Sequence, residues 1–248
     1  MKILVCISHV PDTTAKIQFT AGGTALDPNG VQFVINPYDE FGLTKALQLK
    51  EKHGGSVTVI TYGDATVEPT LRKALAIGAD DAVRLDGVPT DSMQVASELA
   101  AYISGQGFDL IICGQESIDY NGGGVPGALA AKLRLPFVNA CIGLDLEGSQ
   151  AQALREMDGG KESLTASLPL VVGGKKGLVE ESELRIPNMR GIMTARSKPL
   201  AVTSLTGATP LTGAAAFTKP APKAAVQLID SSNLDELVRR LHEEAKVI

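Results

Sequence analysis

Over residues 1–140 short apolar runs alternate with segments of helical period. Lys2–Ser8, Ser56–Tyr62, Ala82–Leu85 and Asp109–Cys113 are strand-length runs, apolar on both faces. Such runs suit a buried parallel sheet. The helices between them have readable ends. The first follows Asn36-Pro37-Tyr38, starts near Asp39 and stops at Gly54-Gly55, with Phe41, Leu43, Ala46, Leu47 and Leu49 as its apolar set. The second has Pro69 in its first turn and Gly78 just past its end, the usual Pro/Gly asymmetry. The third takes Thr90 or Asp91 as its cap and gathers Val95, Ala96, Leu99 and Ile103 on one face. This alternation predicts an α/β fold with a doubly wound, mostly parallel sheet and right-handed crossovers.

The pattern then changes twice. Val138–Leu146, Gln150–Glu156 and Ser163–Leu168 read as consecutive strands, with turn signals at Glu147-Gly148-Ser149 and Asp158-Gly159-Gly160. They predict an antiparallel meander added to the sheet, with Leu170–Val172 as one further strand. From Pro199 to Ala225 periodicity is lost among prolines, alanines and threonines. That stretch reads as an extended arm. Val226–Ile229 reads as a short strand or extended segment. Ser232 and Asp235 resemble a capping box, before a final amphipathic helix on Leu234, Leu237, Val238, Leu241 and Ala245. The expected division is an α/β domain over 1–190 and an appendage over 191–248.

Composition narrows the function. The formal net charge is −5 and aromatics are 4%, with no Trp. Nucleic-acid binding wants a basic face and stacking rings, so it is not expected. No apolar run approaches the roughly 20 residues that span a bilayer. Cys6, Cys113 and Cys141 are odd in number and widely spaced, which argues against disulfides and against a CxxC metal site. His9, His53 and His242 are equally scattered. The N-terminus runs straight into a strand, so the expected location is a bacterial cytoplasm, or a mitochondrial matrix in a eukaryote.

In an open α/β sheet, ligands bind beyond the carboxyl ends of the strands. Four segments fall there: Cys6–His9, Asn36–Asp39, Tyr62–Asp64 and Gly114–Gly127. The last holds Gly122, Gly123 and Gly124 ahead of a helix, where backbone N–H groups and the helix dipole suit a phosphate. An ordinary strand-to-helix turn explains the same pattern. Neither a P-loop nor a GxGxxG after the first strand is present. No catalytic set emerges: Ser117 has no His near it in sequence, and Glu116 and Asp119 read as capping or solvated carboxylates. Arg185–Lys198 carries four basic residues and no acid, interleaved with Met189, Ile192 and Met193. It reads either as a solvated loop or as a docking loop for an acidic partner.

Four stretches carry a family resemblance. They are Asn36-Pro37, the run Ala74–Asp80, Arg155–Gly160 followed by Leu168-Pro169, and Gly191–Pro199. On these the chain resembles the β subunit of electron transfer flavoproteins over essentially its whole length. The resemblance implies an adenine-nucleotide-binding fold of the flavodoxin/Rossmann-like kind, and a heterodimer with an α subunit that holds most contacts to FAD. It implies an electron carrier, not an enzyme, working in fatty acid oxidation between acyl-CoA or other flavin dehydrogenases and a membrane quinone oxidoreductase. It implies AMP in the β subunit, or a second FAD in the same pocket in the electron-bifurcating branch. The implied nucleotide positions are Cys6, Asn36, Pro37, Tyr38, Asp39 and Tyr62, then Asp119, Tyr120, Asn121, Gly122, Gly123, Gly124, Val125, Pro126, Gly127, Ala128, Leu129 and Ala130. The implied docking positions are Met189, Arg190, Ile192, Met193 and Arg196, with Met189 as the anchor. Residues 191–248 would pack on the α subunit. The phosphate loop departs from both branches: Asn121–Gly127 lacks their Thr and Gln side-chain donors. A nucleotide-binding module of the stress-protein type is the alternative, but it leaves the basic Ile-Met stretch and the arm unexplained.

Overall fold

A computed structural model describes residues 1–223 and 225–248. The chain opens with β1 (Lys2–Cys6), the two-stranded pair β2 (His9–Pro11) and β3 (Phe33–Ile35), and α1 (Pro37–His53). There follow β4 (Ser56–Gly63), α2 (Glu68–Ile77), β5 (Asp81–Asp86), α3 (Ser92–Ile103), β6 (Leu110–Gly114) and α4 (Gly124–Leu133). The remaining elements are β7 (Phe137–Glu147), β8 (Gln150–Met157), β9 (Gly160–Ser167), β10 (Leu170–Gly174), α5 (Met189–Ala195), β11 (Leu200–Ser204) and α6 (Leu234–Arg239). Nine strands form one sheet in the order β11-β5-β4-β1-β6-β10-β7-β8-β9. All neighbours from β11 to β7 are parallel; β7, β8 and β9 are antiparallel. The doubly wound sheet with an antiparallel meander is therefore present.

The helix ends follow the local chemistry. Pro37 starts α1, two residues before the expected Asp39, because its fixed φ suits a first turn and its missing N–H costs nothing there. Pro69 opens α2 and Gly78 closes it at φ 151°, a backbone angle that L side chains rarely adopt. Asp91, not Thr90, caps α3 by accepting from the Gln94 N–H. Leu43 and Leu47 of α1 are buried against the sheet, each contributing about 1.5–3 kcal/mol of apolar burial.

Strand order and side-chain contacts refine several expectations. The expected further strand is present as Leu170–Gly174 and lies inside the sheet, between β6 and β7, with the meander continuing from β7. The arm does not begin at Pro199: Leu200–Ser204 pairs in register with Ala82–Asp86 as the edge strand, because alternating Leu200 and Val202 can continue a parallel ladder. Asn233, not Ser232, caps α6 by accepting from the Glu236 N–H. Val226–Ile229 forms no strand, and Val226 and Leu228 are exposed. Position 224 of the expected arm lies outside the described residues.

Residues 204–217 form a strap on the chain's own surface. Glu98 of α3 is buried and accepts from Thr206 N at 2.7 Å, Thr206 Oγ1 at 2.9 Å and Ala208 N at 2.6 Å. Asp91 accepts from Leu211 N at 2.5 Å and Thr212 N at 2.6 Å. Further on, the Phe217 N–H donates to Gly23 O at 2.6 Å and its ring stacks on Phe19. Beyond the strap, Leu234 and Val238 of α6 are exposed. Among the described residues no helix is long and apolar enough to cross a membrane.

Candidate functional site

After β1 the chain winds outward through β4 and β5; from β6 it winds the other way, and only the last strand, β11, returns to the edge beside β5. The reversal lies between β1 and β6, where the doubly wound fold leaves a crevice beyond the strand ends. There the protein has a cleft of about 700 Å³. Its floor is Cys6 and Cys113–Gly114; its walls are Ser8-His9, Tyr62–Asp64, Val88–Ser92 and the 116–126 loop, and the strap closes it at Thr212–Ala214.

Two buried polar side chains set the floor. Asn36 donates from Nδ2 to Glu116 O at 2.9 Å and accepts at Oδ1 from Ile118 N at 3.3 Å. Asp39 accepts from Ser8 N at 2.6 Å and Gly114 N at 2.8 Å. One carboxylate thus ties the ends of β1 and β6 together. Burial pushes Asp39 up to about 7, against the opposing pull of these two amides and of Asn36. For an acid this means that stability falls as pH rises from its ordinary value through the folded one. The geometry leaves Gly114 no side chain: a Cβ there would lie 2.3 Å from Asp39 Oδ1.

The loop after β6 closes on itself. Ser117 N donates to Gly122 O and Gly122 N to Ser117 O, both at 3.2 Å. Asp119 accepts from the Ser117 hydroxyl and from Tyr120 N, so it braces the loop, and burial raises its carboxyl. Asn121 takes the left-handed conformation at φ 49°. Gly123 caps α4 with no side chain, and Pro126 sits in the first turn, where an N–H would go unused. Gly124 is tight against Ser92, where a Cβ would meet Ser92 Cβ at 3.3 Å. The N-termini of α3 and α4 therefore stand side by side at the cleft. Among the described residues no Lys or Arg lines it, whereas Asp39, Asp64, Asp91, Glu116 and Asp119 do. A phosphate there has the backbone N–H groups at α4 and the hydroxyls of Thr66, Thr90 and Ser92 as donors, with no Lys or Arg among the described lining residues to neutralise it. Glycine room, a side-chain-free cap and the cleft's volume fit an adenine nucleotide on those terms.

Of the residues assigned to nucleotide binding from sequence, Cys6, Asp39, Tyr62, Asp119, Tyr120, Gly122, Val125 and Pro126 line the cleft. Asn36, Pro37, Tyr38, Asn121, Gly123, Gly124, Gly127, Ala128, Leu129 and Ala130 do not. Asn36 acts from behind the loop; Leu129 and Ala130 are core residues on the buried face of α4. Sequence reasoning missed Thr66, Thr90, Ser92 and the strap residues Thr212–Ala214. The Asp91 cap was a usable signal for the third helix's contribution. The strap offered none, because it has no periodicity.

The basic stretch is not a loop throughout: Met189–Ala195 is helical, capped by Asn188, which accepts from Gly191 N at 2.7 Å. Gly191 lets α5 lie on α2, since a Cβ would come 2.3 Å from Ala76 O. Two of the four basic residues are already engaged. Arg185 forms a two-pronged pair with Glu51 at 2.6 Å, and Lys198 caps the end of α2 through Leu75 O and Ala79 O. Arg190 and Arg196 form no ion pair among the described residues. Met189, at 78% exposure, and Met193, at 72%, stand out from the helix, while Ala195 is buried.

A family model described as "Electron transfer flavoprotein domain" matches residues 24–208. The chain belongs to the electron transfer flavoprotein family. An electron transfer flavoprotein subunit beta from Bacillus subtilis (strain 168) is 36% identical, with all of both chains covered. One from Syntrophomonas wolfei is 35% identical over 91% of this chain and 88% of its own. Protein FixA of Azorhizobium caulinodans is 36% identical over 69% of this chain and 65% of its own. The electron transfer flavoprotein match takes in the cleft loop, the meander, α5 and the edge strand β11, and ends within the strap.

Proposed function

We propose that this chain is the β subunit of a heterodimeric electron transfer flavoprotein, carrying electrons from flavin dehydrogenases such as acyl-CoA dehydrogenases to a membrane quinone reductase. The full-length similarity to subunits of that name carries the reading. FAD, held mainly by the α subunit, supplies the one- and two-electron chemistry of the complex. This chain's residues do the holding and the docking. The cleft at the β1/β6 ends would hold a structural AMP, with N–H groups at the α4 N-terminus available to its phosphate and Tyr62 and Val88 among the lining available to its ring. The exposed apolar face of α6 packs on the α subunit. The α5 helix presents Met189 to the dehydrogenase, with Arg190 and Arg196 steering its acidic surface.

A second FAD in the same cleft is the competing reading. It is favoured by the cleft's size. Heat release of nucleotides from the purified α–β complex, followed by chromatography, separates the two. One AMP and one FAD per heterodimer is the expected result; two FAD and no AMP would overturn the AMP assignment. No nucleotide beyond a single FAD would overturn nucleotide binding by this subunit.

Met189→Ala is expected to slow electron transfer from the dehydrogenase about tenfold with flavin content unchanged, as for a buried apolar anchor at an interface. An unchanged rate in stopped-flow reduction sinks the anchor assignment.

A further inference from the structure

We propose that Cys6 and Cys113 are an oxidisable thiol pair on the cleft floor, which a peroxide closes to a disulfide between β1 and β6. The pairing register sets Val5 opposite Ile112, so the next residues on each strand, Cys6 and Cys113, face one another. Both lie on the sheet face that carries Leu4 and Ile111, and both line the cleft. Neighbouring strands are about 4.8 Å apart, within the Cα separation of roughly 4.4–6.8 Å that a disulfide spans. Cys141 is a built-in contrast. It is buried in the core cluster of the opposite sheet face, donates to Gly143 O at 3.2 Å, and burial pushes its thiol up to about 11.

The two thiols are not equivalent. The Cys6 thiol against it, then burial, then the Asp39 carboxyl, hold Cys113 well above the ordinary thiol range. Cys6 is the more exposed, at 8% against 4%. Cys6 therefore reacts first. Its thiolate attacks one peroxide oxygen, the O–O bond breaks, and the departing hydroxide takes the displaced thiol proton to become water. The resulting Cys6 sulfenic acid is attacked by the Cys113 sulfur: the S–S bond forms, the S–O bond breaks, and hydroxide leaves as water with the Cys113 proton. Two thiols lose two electrons and two protons, and one hydrogen peroxide becomes two waters. Closing the pair draws together the strand ends that Asp39 bridges through Ser8 and Gly114, and so reshapes the floor on which a ligand rests.

The test treats the purified protein with hydrogen peroxide, with its nucleotide stripped or with AMP at saturation, and follows it by intact mass and peptide mapping. The expected product is lighter by two hydrogen atoms, reversed by dithiothreitol, with one linked peptide pair holding Cys6 and Cys113 and with Cys141 free. Cys6→Ser and Cys113→Ser should each abolish it; Cys113→Ala serves if the serine variant fails to fold. Free thiols persisting in excess peroxide, or overoxidation without a linked pair, would overturn the proposal. Shielding by AMP, about tenfold in rate at saturation, rests on the nucleotide reading of the cleft, whereas the closure does not. A disulfide forming at the same rate with and without AMP upholds the thiol pair and counts against AMP in this cleft.

Discussion

Gly114→Ala is expected to destabilise the chain by about 3 kcal/mol and to strip the cleft of its ligand. The added Cβ would stand 2.3 Å from Asp39 Oδ1, 2.9 Å from Tyr38 Cβ and 3.0 Å from Asn36 Nδ2. None of these can retreat cheaply. Asp39 and Asn36 are buried, and each already holds two partners. Nor can the backbone of residue 114 move away, because its own N–H donates to Asp39. Relief requires breaking the Asp39 bridge or the Asn36 brace, and either change lets the 116–126 loop drift from the strand ends. Urea unfolding and nucleotide content of the purified variant measure the two effects. A loss below about 1 kcal/mol with nucleotide retained would mean that the floor is more pliable than its packing implies.

Glu98→Ala is expected to free the strap, at a cost of about 2 kcal/mol or roughly thirtyfold in the population of its open form. The carboxylate accepts two backbone N–H groups and one hydroxyl from Thr206 and Ala208, while its helix stays anchored in the core. Limited proteolysis within 205–217 reads the opening directly. Intact resistance to protease would show that Asp91 and the Phe19–Phe217 stack hold the strap unaided. Glu98→Gln keeps an acceptor and should lie between. The pH dependence has a definite sign. Burial raises the Glu98 carboxyl, but the amides of Thr206, Ala208 and Gly207 and the Thr206 hydroxyl outweigh it and leave it below its ordinary value. Its contribution is therefore complete above the ordinary carboxylate range and is lost as pH falls through the lowered value. The strap should open in acid, and the Ala variant should show no such acid-dependent step.

The strap also bears on how the two halves of the chain relate. Its proline- and alanine-rich composition promised a linker reaching toward a partner. Over 204–217 it instead binds its own chain, through acceptors on α3 and a stack on Phe19. The apolar surface that stays exposed lies further on, at Leu234, Leu237 and Val238. Truncation arguments that treat everything after 199 as one appendage would remove an edge strand and one wall of the cleft.

Much of this was legible in the chain itself. Runs apolar on both faces specify a doubly covered parallel sheet, and prolines, glycines and Asp91 mark helix ends, because these signals act within one or two turns. The same reading located the cleft, since a parallel sheet places its loops at the carboxyl edge whatever their sequence. The glycines before α4 and the exposed methionines of α5 were visible for that reason. What tertiary structure alone decided is which side chains meet. Asn36 braces the loop from behind and Asp39, which lines the cleft, also ties two strand ends together, because their partners, Gly114, Glu116 and Ile118, come from a distant segment. The place of β10 inside the sheet, the capture of the strap by Glu98 and the facing of Cys6 on Cys113 depend on strand order and register. Those are settled by packing across the whole sheet, which no local pattern encodes.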